Sequence, residues 1–576
     1  IAYGAALVLA LLGLMRWRQA WRVLTYQRNL RRLPTYRLRA DQMPVSRRKL
    51  FLGRGFRWTQ KHTQRLRDTL RPEVQRYVQP GSLYHWARRK EVAWEETLLL
   101  KRVAAGLRSR AWWNPLKPLP PVGGKPALHA VEPEEQDVWM DIGERVGHTL
   151  VLGTTRVGKT RLAEILITQD IRRGDVVIVF DPKGDADLLR RVYAEAKRAG
   201  REKDFYLFHL GYPEVSARYN AIGSFSRITE VATRIANQLP SEGNSAAFKE
   251  FAWRFVNIIA RALVALGRRP DYQQVRRYIN DIEPLFVEYA REHLRRHGQA
   301  DWAGEVEQIA AKISERNLSS ALKGRDRDAI ALMRYLQAQD LYDPVLDGLV
   351  SAFKYDKTYF DKIVSSVGPL MEKLTTGKIA ELISPNYLDA DDNRPIFEWL
   401  EVIRQKGIVY VGLDALTDTT VASAVGNSMF ADLVSVAGHI YKHGVQDAGD
   451  GPSSATVTEG SSAMPTISLH ADEFNELIGD EFVPLLNKAG GAGFQVTAYT
   501  QTWSDVEARI GNRAKAGQVA GNFNTLVMLR VKELATAEML TDQLPKVEVF
   551  TLMSVSGVDD SSDPTSGVDF KSRNED

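Results

Sequence analysis

Residues Gly153, Thr154, Thr155, Arg156, Val157, Gly158, Lys159 and Thr160 follow the G-x-x-x-x-G-K-[ST] spacing of a phosphate-binding loop. Its glycines permit a turn whose backbone N–H groups can wrap phosphate oxygens, and the helix behind it adds a positive N-terminal dipole. Lys159 is placed to bridge the β- and γ-phosphates of ATP, and the Thr160 hydroxyl to ligate Mg2+. The flanks agree with this chemistry. An apolar TLVL run leads straight into the loop, and TRLAEILITQDIRRG leaves it with helical periodicity.

Such a site needs an acid at the end of a neighbouring strand, and two are available. Asp181 ends VVIVFD; Asp472 ends ISLHAD, with Glu473 directly behind it. The Asp-Glu pair allows a division of work that Asp181 alone does not: one carboxylate serves the metal and the next polarises the attacking water. That pairing is typical of additional-strand motor ATPases, in which a further strand separates the P-loop strand from the acidic one. Asp472 is therefore assigned to Mg2+ and Glu473 to catalysis. Asp181 and Lys183, in DPKGD, take a secondary place near the nucleotide or a subunit boundary. Gln501, ending FQVTAYTQ, sits where a γ-phosphate sensor belongs, or else caps its strand as a polar residue. Arg530, in TLVMLRV, has the fixed charge and forked donors of an arginine finger reaching a neighbour's ATP. Arg513 is a rival for that role, and a surface ion pair suits either.

The elements that must hold these residues are short apolar runs at 148–153, 175–181, 407–414, 466–472, 494–501 and 525–531. Runs without polar alternation suit strands buried on both faces of a largely parallel sheet. Helical patterns alternate with them, so an α/β fold of the RecA-like P-loop class is expected, spanning 127–224 and 401–553. Residues 225–400 carry helical periodicity throughout and are expected as an all-α domain inserted between the second and third strands. The Pro- and Gly-rich 114–126 reads as a linker, 447–465 as a flexible insertion and 554–576 as a polar C-terminal tail.

With 576 residues, 44% of them apolar and 26% charged, the chain is neither disordered nor fibrous and calls for two or three domains. The absence of cysteine excludes disulfides, Cys-ligated zinc, iron–sulfur clusters and thiol catalysis. The ten histidines include no HExxH pair. Residues 1–15 are uncharged and apolar, too few for a full crossing, and are expected as the end of a transmembrane helix of a longer protein. Residues 16–110 then hold 25 Lys and Arg against 6 Asp and Glu. Such an excess places the basic region 16–113 on the cytoplasmic side, near lipid headgroups or nucleic acid.

RRLPTYRLRADQMPVSRRKLFLGRGFRWTQKHTQRLRDTLRPEV, VWMDIGERVGHTLVLGTTRVGKTRLAE, VFDPKGDADLLRR and HADEFNE together resemble the TraD-type coupling proteins of integrative conjugative elements. These are relatives of the type IV secretion coupling proteins and of the FtsK/HerA motors, and the resemblance covers nearly the whole chain. It implies an ATPase anchored in the bacterial inner membrane, its main body cytoplasmic, and assembled as a homo-hexamer. It also implies recruitment of single-stranded DNA with a covalently attached relaxase to the components of a type IV secretion channel. The inserted helical domain is similar to that family's all-α DNA-recognition module. Arg156 and Val157 depart from the Gly-Ser-rich loop that many coupling proteins carry. Two alternatives are an FtsK-like double-stranded DNA pump, which calls for a C-terminal DNA-reading domain, and an ATP-binding membrane scaffold, which has no use for Glu473.

Overall fold

The computed structural model describes residues 2–32, 36–97, 100–111, 113–119, 125–239, 245–314, 318–339, 341, 343–355, 357–445, 465–479, 482–557 and 569–575. The chain forms two compact units, Ile1–Met140 with Arg530–Asp576, and Asp141–Leu529.

In the first unit a helix runs Ala2–Asn29, so the apolar stretch and the first basic residues share one continuous helix. Leu30, just past its end, is buried against Ala127 and Ala130, with Tyr26, Val74 and Tyr77 packed around them. Strands β1 (Lys49–Gly55) and β2 (Gln136–Asp141) pair as a two-stranded sheet. His62, Lys61 and Arg65 converge on Glu132, whose carboxyl is held at about 2; burial opposes this shift, and the bonds from His62 and Lys61 drive it.

The second unit is built on seven strands: β3 (Thr149–Leu152), β4 (Val176–Asp181), β5 (Phe205–His209), β6 (Ile408–Gly412), β7 (Ile467–Ala471), β8 (Phe494–Thr500) and β9 (Thr525–Met528). Every pairing is parallel, in the order β5-β6-β4-β7-β8-β3-β9. Helices cover both faces, which is why the central strands read as unbroken apolar runs. On one face Ala163, Ile167 and Ile171 of the helix Lys159–Arg173, and Leu188 and Val192 of Ala186–Arg198, pack on Val151, Val177, Val179 and Tyr410. On the other, the ring of Phe430, from the helix Thr419–His443, packs tilted against Phe180 with centroids 4.3 Å apart. Among the described residues this is the one helix long and apolar enough to cross a membrane, yet it is mostly buried as the core helix of the sheet.

The second unit is also fastened by buried charge. Arg145 donates to both oxygens of Asp170 at 2.7 and 3.1 Å, and Arg173 donates to the same carboxylate. His470 of β7 bridges Asp170 (2.8 Å) and the Tyr499 hydroxyl of β8 (3.0 Å). The P-loop helix is thereby tied to β7 and β8.

Two expectations need correction. The sequence reading passed over FYLFH at 205–209, which forms β5 at the sheet edge, so the helical insertion lies between the third and fourth strands of the sheet. Its described elements from Thr229–Ala236 to Gly377–Ile383 are all helices. The two ends of the insertion close on each other: Arg218 pairs with Ile396, donates its N–H to the Pro395 carbonyl at 2.7 Å and holds Asp392 at 3.1 Å. The C-terminal tail also carries structure, because β10 (Thr551–Gly557) pairs antiparallel with β11 (Asp569–Glu575). In its sequence M-S-V-S alternates apolar and polar at the strand period. Residues 446–464 of the expected flexible insertion and 120–124 of the expected linker lie outside the described residues.

Candidate functional site

Because all seven strands are parallel, every strand-to-helix turn emerges at the same edge, and the chemistry-bearing residues gather there. The turn after β3 is the Gly153–Thr160 loop. The Gly153 N–H donates to Thr500 at the end of β8, and a Cβ at 153 would lie 2.8 Å from Val157 and 2.9 Å from Leu529, so only glycine fits. Gly158 has φ +108, a conformation glycine adopts without strain, and it starts the helix Lys159–Arg173. Arg156 takes a left-handed φ of 59 in the same loop. The Lys159 ammonium turns back over the loop to the Gly153 carbonyl at 2.7 Å. Burial holds it below the usual lysine range, while Glu473 and Asp472 act in the opposite direction.

The order β7-β8-β3 puts the strand ending in Asp472 one strand away from the P-loop strand, with β8 and Gln501 between them. The Asp472 N–H bonds to Phe180 at the end of β4, which sets Asp472 next to Asp181. Burial, then the charges of Asp181 and Glu473, push its carboxyl up to about 7. The raised value means that the folded chain binds this proton more tightly than the unfolded chain, whose carboxyl titrates near 3.8. Stability is therefore lost as pH rises through the interval from about 4 to about 7. Asp472→Asn removes that loss. Without divalent cation its unfolding free energy should gain on the parent chain's between pH 5 and pH 8, the gap widening by on the order of 2 kcal/mol. A gap that stays constant between the two pH values would refute a raised carboxyl.

Glu473 is buried and sits at φ 41, ψ 54, a left-handed conformation costing a non-glycine residue about 1 kcal/mol or more. One carboxylate oxygen receives the Lys183 ammonium; the other lies 3.5 Å from the Gln501 amide nitrogen. Burial alone would lower Lys183, but the bond to Glu473 lifts it above its usual range. Asp181 does different work from its neighbour. Its oxygens accept from the backbone N–H groups of Lys183, Gly184 and Asp185 at 2.6–2.9 Å and from the Tyr410 hydroxyl at 2.5 Å. With four donors on it, Asp181 organises the DPKGD turn and so aims Lys183 at Glu473.

The P-loop, Asp472, Glu473, Gln501, Asp181 and Lys183 are thus brought together at one edge. Arg530, two residues past β9, opens the other compact unit. Arg513 is exposed at the start of the helix Arg513–Ala520, with Glu507 at 3.8 Å. Two participants escaped the sequence reading. Tyr410 comes from a strand recognised only as apolar, and Asp505, on the helix Trp503–Ile510, adds a further carboxylate to the field of Lys159. A hydroxyl at the centre of a buried apolar strand was the available signal for Tyr410.

Residues 466–576, from the start of β7 onward, match the family described as the TraM recognition site of TraD and TraG. The chain resembles TraD/TraG-type coupling proteins. The type 4 coupling protein DotL of Legionella pneumophila is 25% identical over 141 residues, and that match spans 22% of this chain and 18% of DotL. Among solved structures, the bacterial conjugative coupling protein TrwBdeltaN70 in its unbound monoclinic form gives a TM-score of 0.40 at 14% identity, covering 76% of this chain and 79% of that one. The plasmid coupling protein TrwB in complex with ADP and Mg2+ gives 0.37 at 14% identity, covering 67% and 70%. The family match begins in the strand that carries Asp472 and Glu473, so the coupling-protein likeness and the candidate site meet in β7.

Proposed function

We propose that this chain is an ATP-hydrolysing coupling protein of conjugative transfer, anchored in the bacterial inner membrane and working as a homo-hexamer. It would bring relaxase-bound, single-stranded DNA to a type IV secretion channel. The observation that carries the ATPase assignment is the strand order β7-β8-β3, which sets an Asp-Glu pair one strand from a P-loop with an amide between them. The match of residues 466–576 supports the coupling role, and its description supports reading the C-terminal region as a docking surface for an accessory protein.

The donor set fits magnesium and ATP. Among the described residues no group of three or more His, Asp or Glu side chains is placed to hold a metal unaided, as suits an ion shared between Thr160, Asp472 and phosphate oxygens. Asp472, raised by burial and then by the neighbouring carboxylates, is an acid in want of a cation. Bound there, magnesium–ATP would supply charge neutralisation at the phosphates and a good leaving group. Glu473 takes the proton of the attacking water; Gln501 and Lys183 hold its two oxygens; Lys159 stabilises the charge that builds on the transferred phosphoryl group. Arg530 is assigned to completing a neighbouring subunit's site, with Arg513 as the alternative.

The test is ATP hydrolysis by the whole chain in detergent, alone and with single- or double-stranded DNA. Turnover stimulated by single strands is expected. A strict preference for duplex would favour an FtsK-like pump, and ATP binding without turnover would favour a scaffold.

A further inference from the structure

The first unit contains a cleft of about 580 Å3 at the C-terminal end of the helix Ala2–Asn29. Its lining has two characters. Arg28, Arg31 and Arg32 supply charge, while Leu24, Leu83 and Leu119 supply apolar wall. Two of the arginines are held in place by backbone carbonyls, Arg32 donating to that of Lys117 at 2.6 Å and Arg31 to that of Arg76 at 3.2 Å, and among the described residues none of the three has an ion pair. From residue 16 to residue 67 the sequence offers a single acid, Asp41. Burial, and the like charges of Arg28, Arg31 and Arg88, hold Arg32 below the usual arginine range.

The approach to the cleft is equally specific. Leu7, Leu9, Leu11, Leu14 and Leu24 of the same helix are all more than half exposed, and Trp17 and Trp21 stack at 6.2 Å between the apolar turns and the arginines. Stacked tryptophans at the boundary between apolar and charged helix turns mark a water–hydrocarbon interface. The cleft opens one to three turns beyond them, at headgroup depth, and the apolar helix surface leads into it. Its occupant must therefore carry a compact anion on one side and hydrocarbon on the other.

We propose that this cleft is a binding site for an anionic phospholipid, its phosphate on Arg28, Arg31 and Arg32 and its acyl chains along the exposed face that includes Leu24. The inference rests on the membrane placement of the helix Ala2–Asn29 and adds a defined lipid site to it. A nucleic-acid backbone would satisfy the arginines but would leave Leu24, Leu83 and Leu119 without a partner.

The chain is reconstituted in nanodiscs of phosphatidylcholine alone and of phosphatidylcholine with one-fifth phosphatidylglycerol, then released for native mass spectrometry. Incorporation is expected in both. From the mixed discs, retained phosphatidylglycerol should exceed its bulk share on the parent chain. The enrichment should vanish in the triple variant Arg28→Gln, Arg31→Gln, Arg32→Gln. Each basic residue at an anionic surface is worth roughly fivefold, so three together give on the order of a hundredfold in the odds of phosphatidylglycerol over phosphatidylcholine at the cleft. The triple variant Arg28→Lys, Arg31→Lys, Arg32→Lys should keep most of it, and Arg37→Gln with Arg39→Gln and Arg47→Gln, an equal loss of charge outside the cleft, should leave it intact. Incorporation without enrichment, or equal loss in both Gln triples, overturns the lipid site and leaves the membrane helix standing. Failure to incorporate in either disc overturns both. An oligonucleotide whose binding depends on the three arginines, with no lipid retained, reassigns the cleft to nucleic acid.

Discussion

Glu473→Gln is expected to leave ATP bound at parental affinity while turnover falls by about 10³-fold, the middle of the range for loss of a general base. The amide keeps the shape of the side chain and can still meet Gln501, so the loop after β7 has no reason to rearrange. What disappears is the charge that accepts the water's proton and attracts Lys183. A fluorescent ATP analogue titrated beside a phosphate-release assay separates the two effects. Ordinary hydrolysis in this variant would move the base elsewhere along the edge. Asp181 would be the first suspect, although its oxygens already accept four donors.

Lys159→Ala should lose both binding and catalysis. Removing a phosphate clamp costs on the order of 10³-fold or more in rate, and here the lysine also pins its own loop through the Gly153 carbonyl. Weakened nucleotide affinity, as well as absent turnover, is therefore the expected signature, in contrast to Glu473→Gln. Parental turnover by Lys159→Ala would sink the P-loop assignment. Measured side by side, the two variants assign binding to one side of β8 and water activation to the other.

The site could be read so far ahead of the structure because its parts are local. A glycine frame before a helix, and an Asp-Glu pair ending an apolar run, are each contained within eight residues or fewer, and their spacing states their chemistry. The further strand between them was implied by that pair and is present as β8. The contacts that arrange the parts were not legible. Lys183 and Glu473 stand 290 residues apart, and Tyr410 meets Asp181 across 229, so no periodicity links them. Asp181 invited a metal role because it ends the better apolar strand; only the N–H groups folded onto it reveal a turn organiser. The fold was missed where strands carry mixed signals. FYLFH lacks β-branched residues and lies at the sheet edge, and KLFLGRG is embedded in the basic head.

The strand order also bears on how such a chain can be made. Of the seven strands of the large sheet the first three made are β3, which pairs only with β8 and β9, β4, only with β6 and β7, and β5, only with β6. No two of the first three touch. On the ribosome, the P-loop and the strands that support it have no sheet to join until residues beyond 407 emerge, while the helices of 229–383 can close on local contacts long before. A nascent chain would thus carry three unpaired apolar strands from residue 209 until residue 408 emerges, roughly a third of its synthesis, while the helical body forms behind them. Its dependence on chaperones, and the vulnerability of prematurely terminated products to proteases, follow from the order of seven strands rather than from any weakness in the finished core.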